Sequence, residues 1–148
     1  TYKLGFWNHS QDIETKSAYK SRSQGIYFIA DKVFSRESDL SQGLNGFVQA
    51  GYSLTSLNPV SAYLGGGFVY QGIFPKRDDD VVGLAVAHSF FSNLWRTVKN
   101  ETAIELTYHF NSSRAFSIKP NVQYIIQPAV QNNIPNALMG LVRLNYSW

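Results

Sequence analysis

The chain has 148 residues, of which 44% are hydrophobic, 15% aromatic and only 16% charged, with a formal net charge of +3 and no cysteine. This length is typical of a single domain, spanning residues 1–148. The lack of cysteine excludes disulfide scaffolds, Cys-ligated zinc and thiol nucleophiles. The small, dispersed positive charge gives no electrostatic case for binding nucleic acid. No run of about 20 apolar residues is present, which excludes a membrane-spanning helix.

Apolar and polar residues alternate along most of the chain, and a period of two is typical of β-strands that expose two different faces. The alternation predicts about eight strands, in the segments 2–9, 25–34, 44–52, 62–70, 82–90, 102–110, 115–127 and 138–148. Strands of about nine to twelve residues exceed the ~5–6 of soluble sheets and match the ~9–11 that cross a bilayer at a tilt.

Polar connectors rich in Gly, Pro, Asn, Asp and Ser separate the strands. They fall at 10–24, 35–43, 53–60, 73–80, 91–100, 111–114 and 128–136. The run Asp78–Asp80 lacks the ligand spacing of a calcium loop, so a solvated turn is favoured there. Pro120 cannot donate to a ladder of hydrogen bonds, and we predict a β-bulge at this residue.

Charged side chains within the predicted strands fall almost entirely on one face. Lys3, Asp31, Glu105, Lys119 and Arg143 lie opposite the apolar face, and Lys32, near a strand end, is the exception. A lipid-facing charge at the bilayer midplane costs roughly 2–4 kcal/mol, so a membrane barrel requires this sorting. Aromatic residues gather toward the strand ends, as in the interfacial girdles of such barrels.

Several segments carry a resemblance to a known family. They are GIYFIADKVF at 25–34, AYLGGGFVYQGIFP at 62–75, DDDVVGLAVAHSFFS at 78–92, ETAIELTYHF at 101–110, SIKPNVQYIIQP at 117–128 and the closing PNALMGLVRLNYSW. These segments resemble the C-terminal half of carbohydrate-selective outer-membrane porins of the OprB family.

The resemblance implies an all-β, antiparallel transmembrane β-barrel in the bacterial outer membrane, in contact with membrane lipids. About eight strands here would form half of a barrel of about 16 strands, since porins of that size keep an aqueous channel. A missing N-terminal half is then expected to complete it, and the sequence leaves open whether the barrel is a monomer or a homo-oligomer. In such a barrel the connectors 10–24, 53–60, 91–100 and 128–136 would be extracellular, and 35–43, 73–80 and 111–114 periplasmic. The implied function is passage of sugars by facilitated diffusion.

Polar side chains on the inward face are the candidate pore-lining residues, because sugar hydroxyls need donors and acceptors on a narrow wall. They are Glu105, His109, Lys119, Asn121, Gln123, Arg143 and Asn145. Trp7, Tyr27 and Tyr63 are inward aromatics that could stack on a sugar ring. A generic wet wall without selectivity is an equally open interpretation, and Glu105 could be held by an ion pair with Lys119 or Arg143.

No catalytic constellation is found, so the chain is not expected to be an enzyme. His9, His88 and His109 lack metal-ligand spacing, and no metal or cofactor is expected. The Gly65–Gly67 run is not followed by the lysine or helix of a phosphate loop.

The last strand has its own predicted role. Leu144, Tyr146 and Trp148 alternate at the C-terminus, a pattern that resembles the signal read by the barrel-assembly machinery during insertion. A simpler interpretation is that Trp148 only anchors the strand at the membrane interface, and the two roles are compatible.

Two other classes remain open from the sequence. A self-contained eight-stranded anchoring or adhesion barrel would have no channel. A soluble lipocalin-like barrel would turn the apolar face inward and place Lys3, Glu105, Lys119 and Arg143 outside.

Overall fold

The computed structural model describes residues 1–14, 20–36, 42–55, 58–92, 100–111, 115–128 and 134–148, with only the backbone considered at 10–14 and 20–22. Eight β-strands account for most of these residues. Their bounds are β1 Tyr2–Glu14, β2 Lys20–Arg36, β3 Gly43–Ser53, β4 Val60–Gln71, β5 Val81–Phe91, β6 Asn100–Asn111, β7 Phe116–Ile126 and β8 Ala137–Tyr146. The prediction of about eight strands is confirmed. Among the described residues no helix is long and apolar enough to cross a membrane.

All eight strands belong to one sheet in sequential order, and every neighbouring pair is antiparallel. No pairing joins β1 to β8 within the described part of the chain, so the sheet has two open edges. A self-contained eight-stranded barrel would need that pairing, because closure leaves no edge.

The connector predicted at residues 10–24 is longer than the one between β1 and β2 in the structure. β1 continues to Glu14 and β2 begins at Lys20, and the two strands remain paired beyond a register shift between His9 and Ile13. Backbone pairing extends these strands where the side-chain alternation has already faded, so the sequence pattern ended them early. Parts of the predicted connectors, at 15–19, 37–41, 56–57, 93–99, 112–114 and 129–133, lie outside the described residues.

The prediction of a β-bulge at Pro120 is wrong. Pro120 pairs with Val142 of β8 in an unbroken register, and the β6–β7 register is the same on both sides of this residue. The β6–β7 ladder lacks pairs only where Tyr108 and His109 face Pro120 and Lys119. The missing N–H therefore costs a local gap in one ladder and does not shift a strand.

The register sorts the side chains onto two faces. The apolar face comprises the residues predicted to contact lipid, and all but the half-buried Ile118 are exposed: Leu84, Val86, Ile104, Leu106, Ile118, Val122, Leu138, Val142 and Leu144. The opposite, polar face carries Lys3, Asp31, Glu105, Lys119 and Arg143. The predicted partition into two faces is confirmed.

Lys32 lies in the apolar row with Gly46 and Phe68, and its ammonium sits 5.5 Å from the centre of the Phe34 ring. A cation over an aromatic face is stabilised by the ring quadrupole. The aromatic neighbour thus reduces the cost of this one charge on the apolar side.

The turn between β4 and β5 holds a buried carboxylate, contrary to the solvated turn predicted at Asp78–Asp80. Asp80 is 1% exposed and accepts hydrogen bonds from Arg77 Nε at 2.7 Å, Arg77 Nη2 at 3.0 Å, the Asn111 amide at 3.0 Å and the Tyr108 hydroxyl. Asp78 and Asp79 are exposed as expected. Asp80 differs because the turn folds back onto the end of β6, where donors are available.

Arg77 adds a second contact to this cluster, since its guanidinium lies 3.8 Å from the centre of the Phe110 ring. Burial alone would raise the pKa of the Asp80 carboxyl, but hydrogen bonds from Arg77, Tyr108 and the Asn111 amide outweigh it and hold that pKa below its ordinary value. The turn is therefore tied to β6 by a charged, fully hydrogen-bonded group.

Candidate functional site

Three adjacent strands, β6 to β8, carry the polar residues predicted to line a pore, and the register aligns them on the polar face. Glu105 lies opposite Gln123, and Lys119 lies opposite Arg143. Asn145 lies opposite Ser117 and donates to its hydroxyl oxygen at 3.2 Å. Neighbouring strands are about 5 Å apart, so these side chains form one polar patch, comprising Glu105, Thr107, His109, Lys119, Asn121, Gln123, Arg143 and Asn145.

Glu105 is the centre of a hydrogen-bonded chain within the polar patch. Gln123 Nε2 donates to Glu105 Oε2 at 2.6 Å, and the Thr107 hydroxyl donates to Glu105 Oε1 at 2.8 Å. Asn121 Nδ2 in turn donates to Thr107 Oγ1 at 2.8 Å. The carboxylate is thereby held in place by neutral donors, and its remaining lone pairs can still accept from a solute.

The ion pairs suggested for Glu105 with Lys119 or Arg143 are not formed. The sole ion pair in the described part of the chain joins Arg77 to Asp80. Glu105 pairs with Gln123 on β7. Lys119 is on the same strand, four residues before Gln123. That spacing corresponds to about 13 Å along a strand, too far for direct contact.

Lys119 and Arg143 instead face each other across β7 and β8 as two positive charges. Like charges directly opposite are unfavourable in an antiparallel pair. Neither forms an ion pair among the described residues. This end of the polar patch is therefore locally positive.

His109 contributes a buried ring nitrogen to the same region. Its Nε2 atom has no hydrogen-bond partner within the described residues. A cavity of about 210 Å³ is lined here by Phe47, Val69, Thr107, His109 and Lys119, among others. An unpartnered buried polar atom is costly, and water or a solute hydroxyl in the cavity would satisfy it.

Tyr27 and Tyr63 are on the polar face but outside the polar patch. They lie on β2 and β4, in one row with Gly5 and Gly51. The structure thus separates the predicted site residues into a polar patch on β6–β8 and an aromatic area on β1–β4.

Sequence reasoning missed Thr107 as a site residue, although it placed this residue on the correct face. Thr107 is 9% exposed and links Asn121 to Glu105. The available signal was its position two residues from Glu105, because residues i and i+2 of a strand share a face.

The proposed insertion signal lies along an open edge. Leu144 and Tyr146 are on β8 and are 64% and 68% exposed, and Trp148 follows the strand, fully exposed. The Tyr146 and Trp148 rings are 6.3 Å apart. Among the described strands, β8 pairs with β7 alone, which leaves its other edge available to a further strand.

A sequence profile of the carbohydrate-selective porin family OprB matches residues 2–147. The chain belongs to this family. It is an outer-membrane protein of bacteria, and its eight antiparallel strands form part of a transmembrane β-barrel fold.

Two relatives show how much of a porin the chain represents. It is 26% identical over 155 residues to Porin B of Pseudomonas aeruginosa, which covers 88% of this chain and 34% of Porin B. It also matches a solved high-pH structure of OprB from Pseudomonas putida with a TM-score of 0.81 and 21% identity, covering 97% of this chain and 44% of that one. The chain thus spans about a third to under a half of the relatives it matches.

Proposed function

We propose that this chain forms part of the wall of a water-filled outer-membrane channel, through which sugars and other small hydrophilic solutes pass by facilitated diffusion. Membership of the carbohydrate-selective porin family supports the sugar as solute. In this proposal the chain acts as channel wall and not as an enzyme, in keeping with a family of porins.

One observation carries this proposal: the register places polar, hydrogen-bonding side chains on one face of a sheet whose other face is apolar and exposed. Glu105, Lys119 and Arg143 share the polar face, while Leu106 and Val122 on the same strands are 54% and 47% exposed on the other. A sheet of this kind can contact lipid with its apolar face and water with its polar face.

A wide channel needs more strands than the eight described. Eight strands closed on themselves leave an interior that side chains fill, whereas about 16–18 strands keep an aqueous channel. The free edges of β1 and β8 also carry backbone groups that must be paired inside a bilayer. We infer that further strands, from the N-terminal half of a complete porin, pair with both edges.

The other two classes fit the structure less well. A closed eight-stranded anchor requires β1 to pair with β8, and the described residues show no such pairing. A lipocalin-like barrel would bury the apolar face around a ligand, but Leu138, Val142 and Leu144 are 74%, 63% and 64% exposed.

Solute entry into proteoliposomes tests the proposal. The protein, as isolated from outer membranes, is reconstituted into vesicles, and swelling is followed by light scattering with arabinose, glucose and sucrose as external solutes. A channel predicts rapid swelling that falls with solute size, and stepwise conductance in planar bilayers. Vesicles that swell no faster than protein-free ones, with no conductance steps, would exclude a channel.

A further inference from the structure

Three aromatic side chains occupy the polar face near the end of the sheet where β3 ends and β4 begins. Trp7 is on β1, Tyr27 on β2 and Tyr63 on β4. The register places Tyr27 opposite Gly5 and Gly51, and Tyr63 opposite Gly51. Trp7 lies opposite Gly25. Each ring thus has a neighbour without a side chain.

Glycines beneath these rings let them lie against the wall. A Cβ atom at Gly25 would overlap the Trp7 indole, one at Gly5 would overlap the Tyr27 ring, and one at Gly65 would overlap the end of Tyr63. With no Cβ in the way, the rings of Trp7 and Tyr27 lie over the backbone of Gly25 and Gly5, and the hydroxyl end of Tyr63 lies near Gly65. Trp7 and Tyr27 remain accessible, at 37% and 41% exposed.

The rings border a cavity of about 390 Å³, which is large enough for a small-molecule site. Its described lining includes Trp7, Tyr27, Tyr63, Ser53 and Asn58 and no charged side chain. A neutral ligand suits such a cavity, because a charged one would lose hydration without gaining a partner.

Asn58 is a fixed polar group at the rim of the cavity. Ser23 Oγ donates to Asn58 Oδ1 at 2.5 Å, and Asn58 Nδ2 donates to Ser53 Oγ at 2.6 Å. Ser53 Oγ also donates to the Thr55 carbonyl at 2.8 Å. The amide has two N–H donors, and one described acceptor, Ser53 Oγ, takes one of them; the other can bind a hydroxyl group of a ligand.

We propose that Trp7, Tyr27 and Tyr63 form a stacking site for neutral sugars in their pyranose form, with Asn58 as a hydrogen-bonding group at the rim. A pyranose ring has an apolar C–H face that fits an aromatic surface and hydroxyl groups at its edge. An acyclic polyol has the hydroxyl groups but no such ring face. The site therefore selects for ring form as well as for neutrality. This inference rests on the proposed channel, since it assigns a binding step along the same solute path.

Aromatic rings over glycines also support a sheet structurally, so the experiment must separate binding from folding. The protein, as isolated from outer membranes, is titrated in detergent with glucose and with sorbitol, using intrinsic tryptophan fluorescence. Glucose should bind at least fivefold more tightly than sorbitol. Tyr27→Ala should weaken glucose binding about fivefold, the loss expected for one aromatic contact of roughly 1 kcal/mol, and should leave sorbitol unchanged.

Matched variants make the test specific. Tyr27→Phe keeps the ring and should bind glucose like the unmodified protein, whereas Gly5→Ala should displace the ring and behave like Tyr27→Ala. Gly140→Ala is the control, because nothing lies within 4 Å of a Cβ there. Heat-modifiable migration in gels checks that each variant is folded. Equal affinity for glucose and sorbitol, or glucose binding unaffected in folded Tyr27→Ala, would overturn the stacking site.

Vesicle swelling distinguishes this inference from the function on which it rests. Solute entry without ring-selective binding would leave the channel standing and remove the stacking site. Ring-selective binding without solute entry would do the reverse.

Discussion

At the scale of single residues, Asp80 shows how one carboxylate joins a turn to a strand. It is nearly inaccessible, and its partners come from its own turn, from Tyr108 and from the Asn111 amide. Asp79, one residue earlier, is exposed, and its backbone carbonyl accepts from Asn111 Nδ2 at 2.6 Å, while its carboxylate has no partner among the residues that the structure describes. The two neighbours therefore form a natural comparison.

We expect Asp80→Asn to lower the free energy of unfolding by roughly 1.5–3 kcal/mol at pH 7, the range for hydrogen bonds to a charged group. Asp79→Asn should change it by less than about 0.5 kcal/mol. Because the pKa of Asp80 is lowered in the folded state, its contribution is present above the ordinary value of about 4 and is lost as pH falls through the lower folded value. Urea unfolding in lipid vesicles at pH 7 and pH 3 measures both effects. A difference between the unmodified protein and Asp80→Asn that stays the same size at pH 3 would contradict the assignment.

Lys119 and Arg143 are a second residue-scale feature, since they face each other and no described carboxylate pairs with either. We expect Lys119→Ala and Arg143→Ala each to raise the ratio of cation to anion permeability by a factor of about two to five. This is the effect expected from removing one positive charge beside a water-filled path. Glu105→Ala should lower that ratio. Reversal potentials in a KCl gradient give the ratio, and Asn145→Ala is the neutral control. Identical reversal potentials in all four variants would mean that these charges only support the wall.

At the scale of elements, β8 combines an apolar face with a backbone edge that no described strand pairs with. An unpaired strand of this kind can add to an exposed sheet edge, with backbone bonds providing affinity and alternate side chains providing specificity. Leu144, Tyr146 and Trp148 are the exposed residues at its end. These properties suit a segment that is recognised during insertion.

Deleting Trp148 should slow arrival of the protein in the outer membrane several-fold if the last strand is an insertion signal. The physical reason is that the terminal ring provides one of the specific side-chain contacts of strand addition. Pulse-chase labelling with membrane fractionation measures the rate, and Trp148→Phe, which keeps an aromatic ring, is the matched control. Arrival of the deletion variant at the normal rate would leave Trp148 as an interfacial anchor.

At the scale of the whole molecule, the two faces of the sheet make opposite demands on charge. Leu106 lies on the apolar face of β6, with Leu84 and Val122 opposite it on β5 and β7. Ala103 is on the same strand but on the polar face, opposite Ala87 and Ile125. One strand thus offers both environments for the same substitution.

Leu106→Lys should lower the free energy of unfolding in lipid by roughly 2–4 kcal/mol, because a cation near the bilayer midplane must leave water. Ala103→Lys should cost less than about 1 kcal/mol, since its ammonium can reach water on the polar face. Urea unfolding of the two variants in the same vesicles gives the comparison. Equal destabilisation by both substitutions would contradict the assignment of the faces.

The sequence by itself determined the strand number, the strand order along the chain and the two faces. A period of two records which side chains meet lipid and which meet water, and this information is local to each strand. Family membership was likewise readable from segments such as ETAIELTYHF. The faces of Glu105, Lys119 and Arg143 could therefore be assigned without coordinates.

Only the tertiary structure decided which residues on a face touch one another. Glu105 bonds to Gln123 and not to Lys119 because the register between β6 and β7 sets the rows, and alternation carries no register. Asp80 meets Tyr108 across 28 residues because a turn folds back onto a strand end. The rings of Trp7 and Tyr27 lie over Gly25 and Gly5 for the same reason: they are neighbours across strands, and contacts of this kind arise only when the strands pair.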